Sequence, residues 1–301
     1  MEKISVILAA TDFSPRAQGA VEQAFHVARD TGAHVHLLHV IHRPVLEDLA
    51  REAKEDIGAV MADIEPTVRA KLADAATAAG GSATLHVLVG DPFVEMVRFT
   101  NENAVDLLVV AANSFPDLRP GVGGFASRLV RKAPTRVMLV REPKEAFQKV
   151  VSLTDFSFTS LRAIRHAAYI ARRDNAELHI AHVYAPPWET AHYLSPNTRV
   201  APEYREQYLT NLEIELKKFV EPIAADLAGL NTVTHLVAGR SVKVAIVEEI
   251  RNLGADLVVL GTEGRTGLQG VFTSGTTAEY VLAHAHCSAL AIKPEGFVYY
   301  P

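Results

Sequence analysis

The chain alternates short apolar runs with longer segments in which apolar residues recur every three or four positions. Runs rich in Val, Ile and Leu predict buried strands, and the amphipathic segments predict helices. Strands are predicted near 4–10, 34–40, 84–89, 106–111 and 136–140, and again near 149–153, 177–183, 233–237, 256–261 and 288–293. Helices are predicted near 15–31, 47–79, 92–103 and 124–132, and again near 159–173, 203–229, 241–252 and 275–284. Such alternation is typical of βαβ units and a mostly parallel sheet.

The second half of the pattern repeats the first. Both halves begin with an apolar strand that ends in Thr-Asp-Phe-Ser, at 11–14 and at 154–157. Further landmarks recur in the same order, as His36 with His179, Val40 with Val183, Asp106 with Asp256, and the strand at 136–140 with the one near 288–293. A polar segment around 142–145 interrupts the pattern. The sequence therefore predicts two α/β domains, residues 1–143 and 144–301, each with a five-stranded doubly wound sheet.

Ligands of such sheets bind at the carboxyl ends of the strands, where the strand order reverses. In the second half, the segment 261–279 follows the fourth strand and contains five glycines. Glycine lets the backbone approach a ligand closely, and Gly275, Thr276 and Thr277 begin a predicted helix whose N–H groups can bind phosphate. This placement, beside Asp155, favours a nucleotide site over a flexible surface loop with a glycine cap.

The aspartate after the first strand, the histidine-rich second strand and the glycine segment resemble the universal stress protein family, whose motif is G-x2-G-x9-G-[S/T]. The tandem arrangement is similar to the universal stress protein E type. The resemblance covers nearly the whole chain. It implies Rossmann-like domains with strand order 3-2-1-4-5, pairing of the two domains through their fifth strands, and ATP as the ligand of many members.

The resemblance also implies roles for single residues of the second domain. Asp155 would contact the adenosine, and the backbone of Val183 would meet the adenine. Gly261 and Gly264 would lie along the ribose and the phosphates. The remaining predicted contacts, mainly to phosphate, are those of Thr154, Arg265, Gly275, Thr276 and Thr277. Arg265 has an equally good interpretation as a solvated loop residue.

Two departures from the motif limit the prediction. Ten residues instead of nine separate Gly264 from Gly275, so the phosphate loop is one residue longer. In the first domain, Ala111 and Ser114 replace the first two glycines, and the bulky Phe115 follows. The predicted ligand, ATP or another adenine nucleotide with or without Mg²⁺, is therefore assigned to the second domain alone. The first domain is expected to pair with it as a pseudo-dimer, and a homodimer of chains stays open.

Composition narrows the function classes. The net charge of −5 and the pI near 6.2 give no basic field for nucleic acid. No apolar stretch approaches the roughly 20 residues that span a bilayer. The single cysteine, Cys287, suits a reducing cytoplasm, the predicted location. The thirteen histidines are interpreted as structural, because His36 and His39 recur as His179 and His182, and no metal site is predicted.

Catalysis is not predicted. No lysine lies between 261 and 279, and Glu263 and Glu279 are candidate bases only by proximity. Phosphoryl transfer needs a positioned nucleophile and charge stabilisation. Together with the family resemblance, which implies a stress-response protein, these residues favour a nucleotide that is bound as a regulatory ligand. A slow ATPase, a nucleotide-free interaction module and a carrier of an apolar ligand are the alternatives.

Overall fold

The computed structural model describes residues 3–112, 124–190, 201–263, 276–297 and 299. The chain divides into two compact units. One unit is Ala146–Glu295, and the other contains the chain up to Glu145 together with the C-terminal segment from Gly296. Within the latter unit, the Asn101 side chain donates a hydrogen bond to the Tyr299 carbonyl.

The first unit along the chain, the N-terminal domain, is a parallel sheet with flanking helices. Its described strands are β1 (Val6–Ala10), β2 (His34–His42), β3 (Thr84–Gly90), β4 (Leu107–Ala111) and β5 (Arg136–Val140). Its described helices are α1 (Pro15–Thr31), α2 (Arg43–Ala53), α3 (Ile57–Ala78), α4 (Pro92–Glu102) and α5 (Phe125–Lys132). All strand pairs are parallel, and the order is β3-β2-β1-β4-β5.

The second unit, the C-terminal domain, repeats this plan. Its described strands are β6 (Lys149–Thr154), β7 (Glu177–Tyr184), β8 (Thr232–Ala238), β9 (Leu257–Gly261) and β10 (Ser288–Ile292). Its described helices are α6 (Phe158–Asp174), α7 (Pro187–Thr190), α8 (Pro202–Val220), a 3₁₀ turn (Glu221–Ile223), α9 (Ala224–Leu227), α10 (Val242–Asn252) and α11 (Thr277–His284). Parallel pairing gives the order β8-β7-β6-β9-β10. The predicted fold class and the order 3-2-1-4-5 are confirmed.

One paired landmark of the repeat has the same structural role in both domains. The Asp106 carboxylate accepts hydrogen bonds from the N–H groups of Ser5 and Val6, at 2.7 and 3.0 Å. The Asp256 carboxylate accepts in the same way from the N–H groups at 148 and 149, at 2.8 and 3.1 Å. Each aspartate, just before the fourth strand of its sheet, thus fixes the start of the first strand beside it.

The predicted helix 47–79 is wrong as a single element. Lys54 has a φ of 58°, and its N–H closes the end of α2 on the Ala50 and Arg51 carbonyls. Asp56 then caps α3 by accepting hydrogen bonds from the N–H groups of Gly58 and Ala59. A left-handed residue followed by an aspartate cap ends one helix and begins another.

The predicted helix 203–229 is also interrupted. The α-helical bonding of α8 stops at Val220, and the 3₁₀ turn follows before the short α9. Pro222 lies in that turn and cannot donate a backbone hydrogen bond. None of the helices in the described ranges combines the length and the apolar character that a bilayer crossing requires.

Candidate functional site

The loop after the first strand of each domain is built by its own side chains. In the C-terminal domain, Thr154 Oγ1 accepts the Phe156 N–H at 3.1 Å, and Asp155 Oδ1 accepts the Ser157 N–H at 3.0 Å. Ser157 Oγ caps α6 by accepting the Ser160 N–H at 3.1 Å. The segment 11–14 makes the same set of bonds in the N-terminal domain, at 3.0, 2.9 and 3.2 Å. The Thr-Asp-Phe-Ser motif therefore encodes a turn before any ligand is considered.

A phenylalanine occupies the left-handed position of this turn in both domains. Phe13 and Phe156 each have a φ of 63°. The Phe156 ring lies 4.3 Å from the His182 ring, and the Phe13 ring lies 4.5 Å from the His39 ring. The histidine in turn bonds through Nδ1 to the carbonyl of the motif's threonine, at 2.9 Å from His182 to Thr154 and at 2.8 Å from His39 to Thr11. Ring packing thus holds a conformation that bulky side chains rarely adopt.

The end of β6 leaves part of the neighbouring strand unpaired. The Tyr184 carbonyl accepts the Gly239 N–H on the β8 side of β7. Neighbouring residues of a parallel strand alternate between the two sides, so the Val183 carbonyl faces the β6 side. There the register has reached Thr154 with His182, and the Phe156 N–H, two residues further along the chain, is bound to Thr154 Oγ1. The Val183 carbonyl therefore lies where the strand order reverses.

A cavity of about 460 Å³ opens at this point of the C-terminal domain. It lies at the carboxyl ends of β6, β7 and β9 and against the helices α6, α10 and α11. The described residues that line it are Leu153, Thr154, Asp155, Ser160, Ala181, Val183, Val242, Ile246, Leu260, Gly261, Glu263, Thr276, Thr277, Ala278 and Val281. The volume falls in the range of about 300–1,000 Å³ that small-molecule sites occupy.

Six of the nine predicted site residues line this one cavity: Thr154, Asp155, Val183, Gly261, Thr276 and Thr277. The other three, Gly264, Arg265 and Gly275, lie outside the described residues. The apolar wall from α10, Val242 and Ile246, was not predicted, because a helical apolar stripe signals only burial. Ser160 was also missed. Its hydroxyl lies 3.0 Å from Thr154 Oγ1, one turn into the helix that follows the Asp155 turn.

Gly261 is explained by packing as well as by access to a ligand. A Cβ atom at this position would lie 2.9 Å from Thr159 Cγ2 and 3.2 Å from the Thr159 carbonyl carbon. The end of β9 therefore approaches the start of α6 more closely than a side chain would allow. In the repeat, Ala111 stands in the place of Gly261, and it is buried at the end of β4.

The start of α11 carries a reciprocal cap. Thr276 Oγ1 accepts the Glu279 N–H at 3.2 Å, and Glu279 Oε2 accepts the Thr276 N–H at 3.2 Å. The T-x-x-E spacing of a capping box was visible in the sequence. Glu279 therefore contributes to the helix end, and Thr277 and Ala278 present the next part of the first turn to the cavity.

The charged residues among the described lining are the two carboxylates, Asp155 and Glu263. The carbonyl of Glu263 lies 3.5 Å from the Ser157 hydroxyl, so the segment after β9 meets the turn after β6. The rest of the lining is apolar or carries hydroxyl groups. This combination suits a ligand with a flat apolar part and several hydroxyl or amino groups.

Two histidine rings are hydrogen-bonded to each other across the second and third strands of each domain. His36 Nδ1 lies 2.9 Å from His86 Nε2, and His179 Nδ1 lies 2.9 Å from His235 Nε2. Within 3–112, 124–190, 201–263 and 276–297, no group of three or more His, Cys, Asp or Glu side chains could hold a metal ion. The described histidine pairs thus contact each other instead of converging on a common centre.

Comparison with known proteins identifies the family. The sequence profile of the universal stress protein family matches twice, at residues 3–141 and 146–293. The chain belongs to the universal stress protein family. Two consecutive matches make it a tandem member, as the repeat predicted.

The relatives of this universal stress protein differ in length and in the share of their chain that matches. A universal stress protein of Methanocaldococcus jannaschii is 30% identical over 155 residues, which are 52% of this chain and 87% of that protein. Universal stress protein E of Escherichia coli is 43% identical over 70 residues, 23% of this chain and 22% of that protein. A crystal structure of a universal stress protein from Archaeoglobus fulgidus has a TM-score of 0.64 at 19% identity and covers 97% of this chain and 99% of its own. The last likeness concerns the fold alone.

Proposed function

We propose that this universal stress protein binds ATP or another adenine nucleotide in its C-terminal domain, as a regulatory ligand in a cytoplasmic stress response. The observation that carries the proposal is the cavity at the reversal of strand order, where Asp155, the Val183 carbonyl and the start of α11 meet. The nucleotide acts by being bound, because the described part of the cavity lining offers carboxylates and hydroxyls but no set of groups arranged for in-line phosphoryl transfer.

Each part of an adenine nucleotide has a complementary group in the cavity. The exocyclic amino group of adenine can donate to the Val183 carbonyl, and the ring can pack on the apolar side chains of Val242 and Ile246. The ribose hydroxyls can donate to the Asp155 carboxylate. Phosphate suits the first turn of α11, where Thr277 lies, because N–H groups and the helix dipole favour an anion there.

The same lining supports a second candidate, an uncharged ligand. Most of the described lining residues are apolar, and the two charged ones among them, Asp155 and Glu263, are acidic. Adenosine or a comparable apolar molecule with hydroxyl groups would avoid the repulsion between carboxylate and phosphate. A panel of ATP, ADP, AMP, adenosine and GTP distinguishes these cases, since only the first candidate requires tighter binding as phosphate is added.

The binding experiment has an internal control in the repeat. Isothermal titration of the full chain with ATP should give one site per chain. Asp155→Ala should weaken binding by about tenfold or more, because a hydrogen bond to a charged group contributes about 1.5–3 kcal/mol. Asp12→Ala removes the matching carboxylate of the N-terminal turn and should leave ATP affinity unchanged.

Several outcomes would contradict the proposal. Two nucleotides per chain would show that the N-terminal domain also binds, and equal losses in the two aspartate variants would point to a general effect on folding. Binding of adenosine with no gain from phosphate would favour the second candidate. Thermal denaturation of each variant without ligand separates loss of the site from loss of the turn.

A further inference from the structure

A row of four titratable side chains crosses the sheet of the C-terminal domain next to the cavity. Glu177 Oε2 lies 3.5 Å from His179 Nε2 on the same strand. The other ring nitrogen, His179 Nδ1, lies 2.9 Å from His235 Nε2 on β8. His235 Nδ1 then lies 3.5 Å from Glu249 Oε1 on α10. Both rings therefore contact each other through one nitrogen and a carboxylate through the other.

The row shares its supporting elements with the cavity. His179 lies two residues before Ala181 on β7, so both side chains project from the same face of the sheet. On α10, Val242 and Ile246 line the cavity, and Glu249 follows one turn later on the same side of the helix. A shift in the position of Glu249 therefore also shifts α10, the helix that forms the cavity wall.

The contacts of the row require one more proton than two neutral imidazoles carry. A neutral ring has one N–H group, so two neutral rings supply two protons. The row contains one hydrogen bond between the rings and two ion-pair contacts with carboxylates at 3.5 Å. Among the described residues, the buried His179 Nε2 has no hydrogen-bond partner, so its neighbour Glu177 acts on it through charge alone. The ring–ring bond needs one proton, and each carboxylate contact is favourable only when the nitrogen that faces it is protonated. The third proton makes the pair cationic, which Glu177 and Glu249 offset. Lys149 is the register partner of Glu177 on β6, and its ammonium group donates a hydrogen bond to the Leu253 carbonyl.

A second excess proton is opposed. Burial lowers the pKa of His235, and the neighbouring His179 lowers it further, while Glu249 acts in the opposite direction. With both rings fully protonated, two N–H groups would point at each other across the 2.9 Å contact. The rings would have to separate, and α10 would lose the contact between Glu249 and His235 that helps to position it.

The N-terminal domain contains the same pair without the carboxylates. The rings of His36 and His86 are 5.1 Å apart and inclined at 38°, against 5.1 Å and 39° for His179 and His235. By the offsets of the repeat, His34 stands in the place of Glu177, and Phe99 in the place of Glu249. Burial and the positive neighbours lower the pKa of both His36 and His86. This pair needs only two protons and serves as a control within the chain.

We propose that the row Glu177–His179–His235–Glu249 is a proton-binding relay that regulates the cavity, so that ligand affinity falls when the row takes up a second excess proton; this inference rests on the proposed function. With one excess proton on the histidine pair, the row holds β7, β8 and α10 together in the form that binds the ligand. Acid splits the pair, moves the α10 wall and weakens binding. By linkage, ligand binding in mildly acid solution releases protons.

The test compares the pH dependence of ATP affinity in three full-length proteins. Isothermal titration between pH 7.5 and 5.5 is performed on the wild type, on His235→Gln and on His86→Gln as the matched control. The phosphates of ATP titrate equally in all three, so the difference between proteins isolates the row. The wild type and His86→Gln should lose at least about fivefold more affinity in acid than His235→Gln, the lower end of ordinary coupling between sites. Glu249→Gln provides a second variant should His235→Gln fail to fold, and it should also change the acid dependence.

Equal acid dependence in the wild type and in the folded row variants would overturn the proposal, as would a matching change in His86→Gln. If ATP binds none of the proteins at any pH, the proposed function fails. ¹⁵N NMR of the histidine rings then tests separately whether the row holds the excess proton. A proton shared between His179 and His235, lost in Glu249→Gln, supports the row. Two neutral rings at pH 6.5 with unprotonated nitrogens facing the carboxylates refute it.

Discussion

Replacing Gly261 by alanine should destabilise the C-terminal domain even in the absence of ligand. The new Cβ would lie 2.9 Å from Thr159 Cγ2 and 3.2 Å from the Thr159 carbonyl carbon. The second contact is with backbone, which cannot be relieved by a rotamer change. The end of β9 and the start of α6 must therefore separate by a few tenths of an ångström, although β9 is hydrogen-bonded in the sheet on both sides and the Ser157 cap fixes the start of α6.

Overpacking of this kind costs about 1–3 kcal/mol. For a domain of about 150 residues, 1 kcal/mol shifts Tm by about 2–4 °C, so the expected loss is roughly 2–12 °C. Thr159→Ser removes the nearest atom and should restore part of the loss when it is combined with Gly261→Ala. Ala111→Gly in the N-terminal domain is the reciprocal control, and it should cost no more than about 0.5–1 kcal/mol through backbone entropy.

Differential scanning calorimetry of the ligand-free proteins measures these effects, and titration with ATP follows on the same samples. The reasoning is refuted if Gly261→Ala melts at the wild-type temperature while ATP binding is weakened. The glycine would then be required only for the approach of the ligand. Failure of Thr159→Ser to restore any stability would exclude the proposed clash as the cause.

Three further predictions concern stability and turnover. Thr276→Ala removes the cap of α11 and should cost about 1 kcal/mol in urea denaturation; an unchanged midpoint would mean that the capping box contributes nothing. Burial lowers the pKa of His36, His39, His86 and His235. The unfolded chain therefore binds more protons than the folded chain below about pH 6.5, and the free energy of unfolding should fall from pH 7 towards pH 5. Constant urea midpoints across that range would contradict this. ATP turnover should stay far below the 1–100 per second typical of kinases, and steady-state phosphate release at such rates would require a catalytic interpretation.

The repeat made most of the fold predictable. Strands were correctly predicted because both faces of each sheet are buried, which leaves continuous apolar runs such as β4 and β9. The division between α2 and α3 was missed, because the apolar pattern continues across Lys54 and only a left-handed residue followed by the Asp56 cap ends the helix. A lysine gives no sequence signal for that conformation. Pairing of the two domains stays a prediction.

The polar half of the site was more accessible to sequence reasoning than the apolar half. Asp155 follows β6, Gly261 ends β9 and Thr276 caps α11, all in positions where the fold class places ligands, and the structure brings them to one cavity. Val242 and Ile246 could not be assigned, since any helix that covers a sheet carries such residues. The contact of His179 with His235 was missed because it joins strands that are 56 positions apart in the chain.

The phenylalanine turn has a consequence for how the protein can be altered. Glycine is the residue that the backbone alone would favour at a φ of 63°. Phe13 and Phe156 occupy the position because their rings pack on His39 and His182, so the path of the main chain depends on aromatic side chains from the next strand. A change at either histidine therefore acts at a distance on the loop tip, and for His182 that loop carries Asp155. Substitutions in β7 can thus reshape the cavity without touching any residue that lines it.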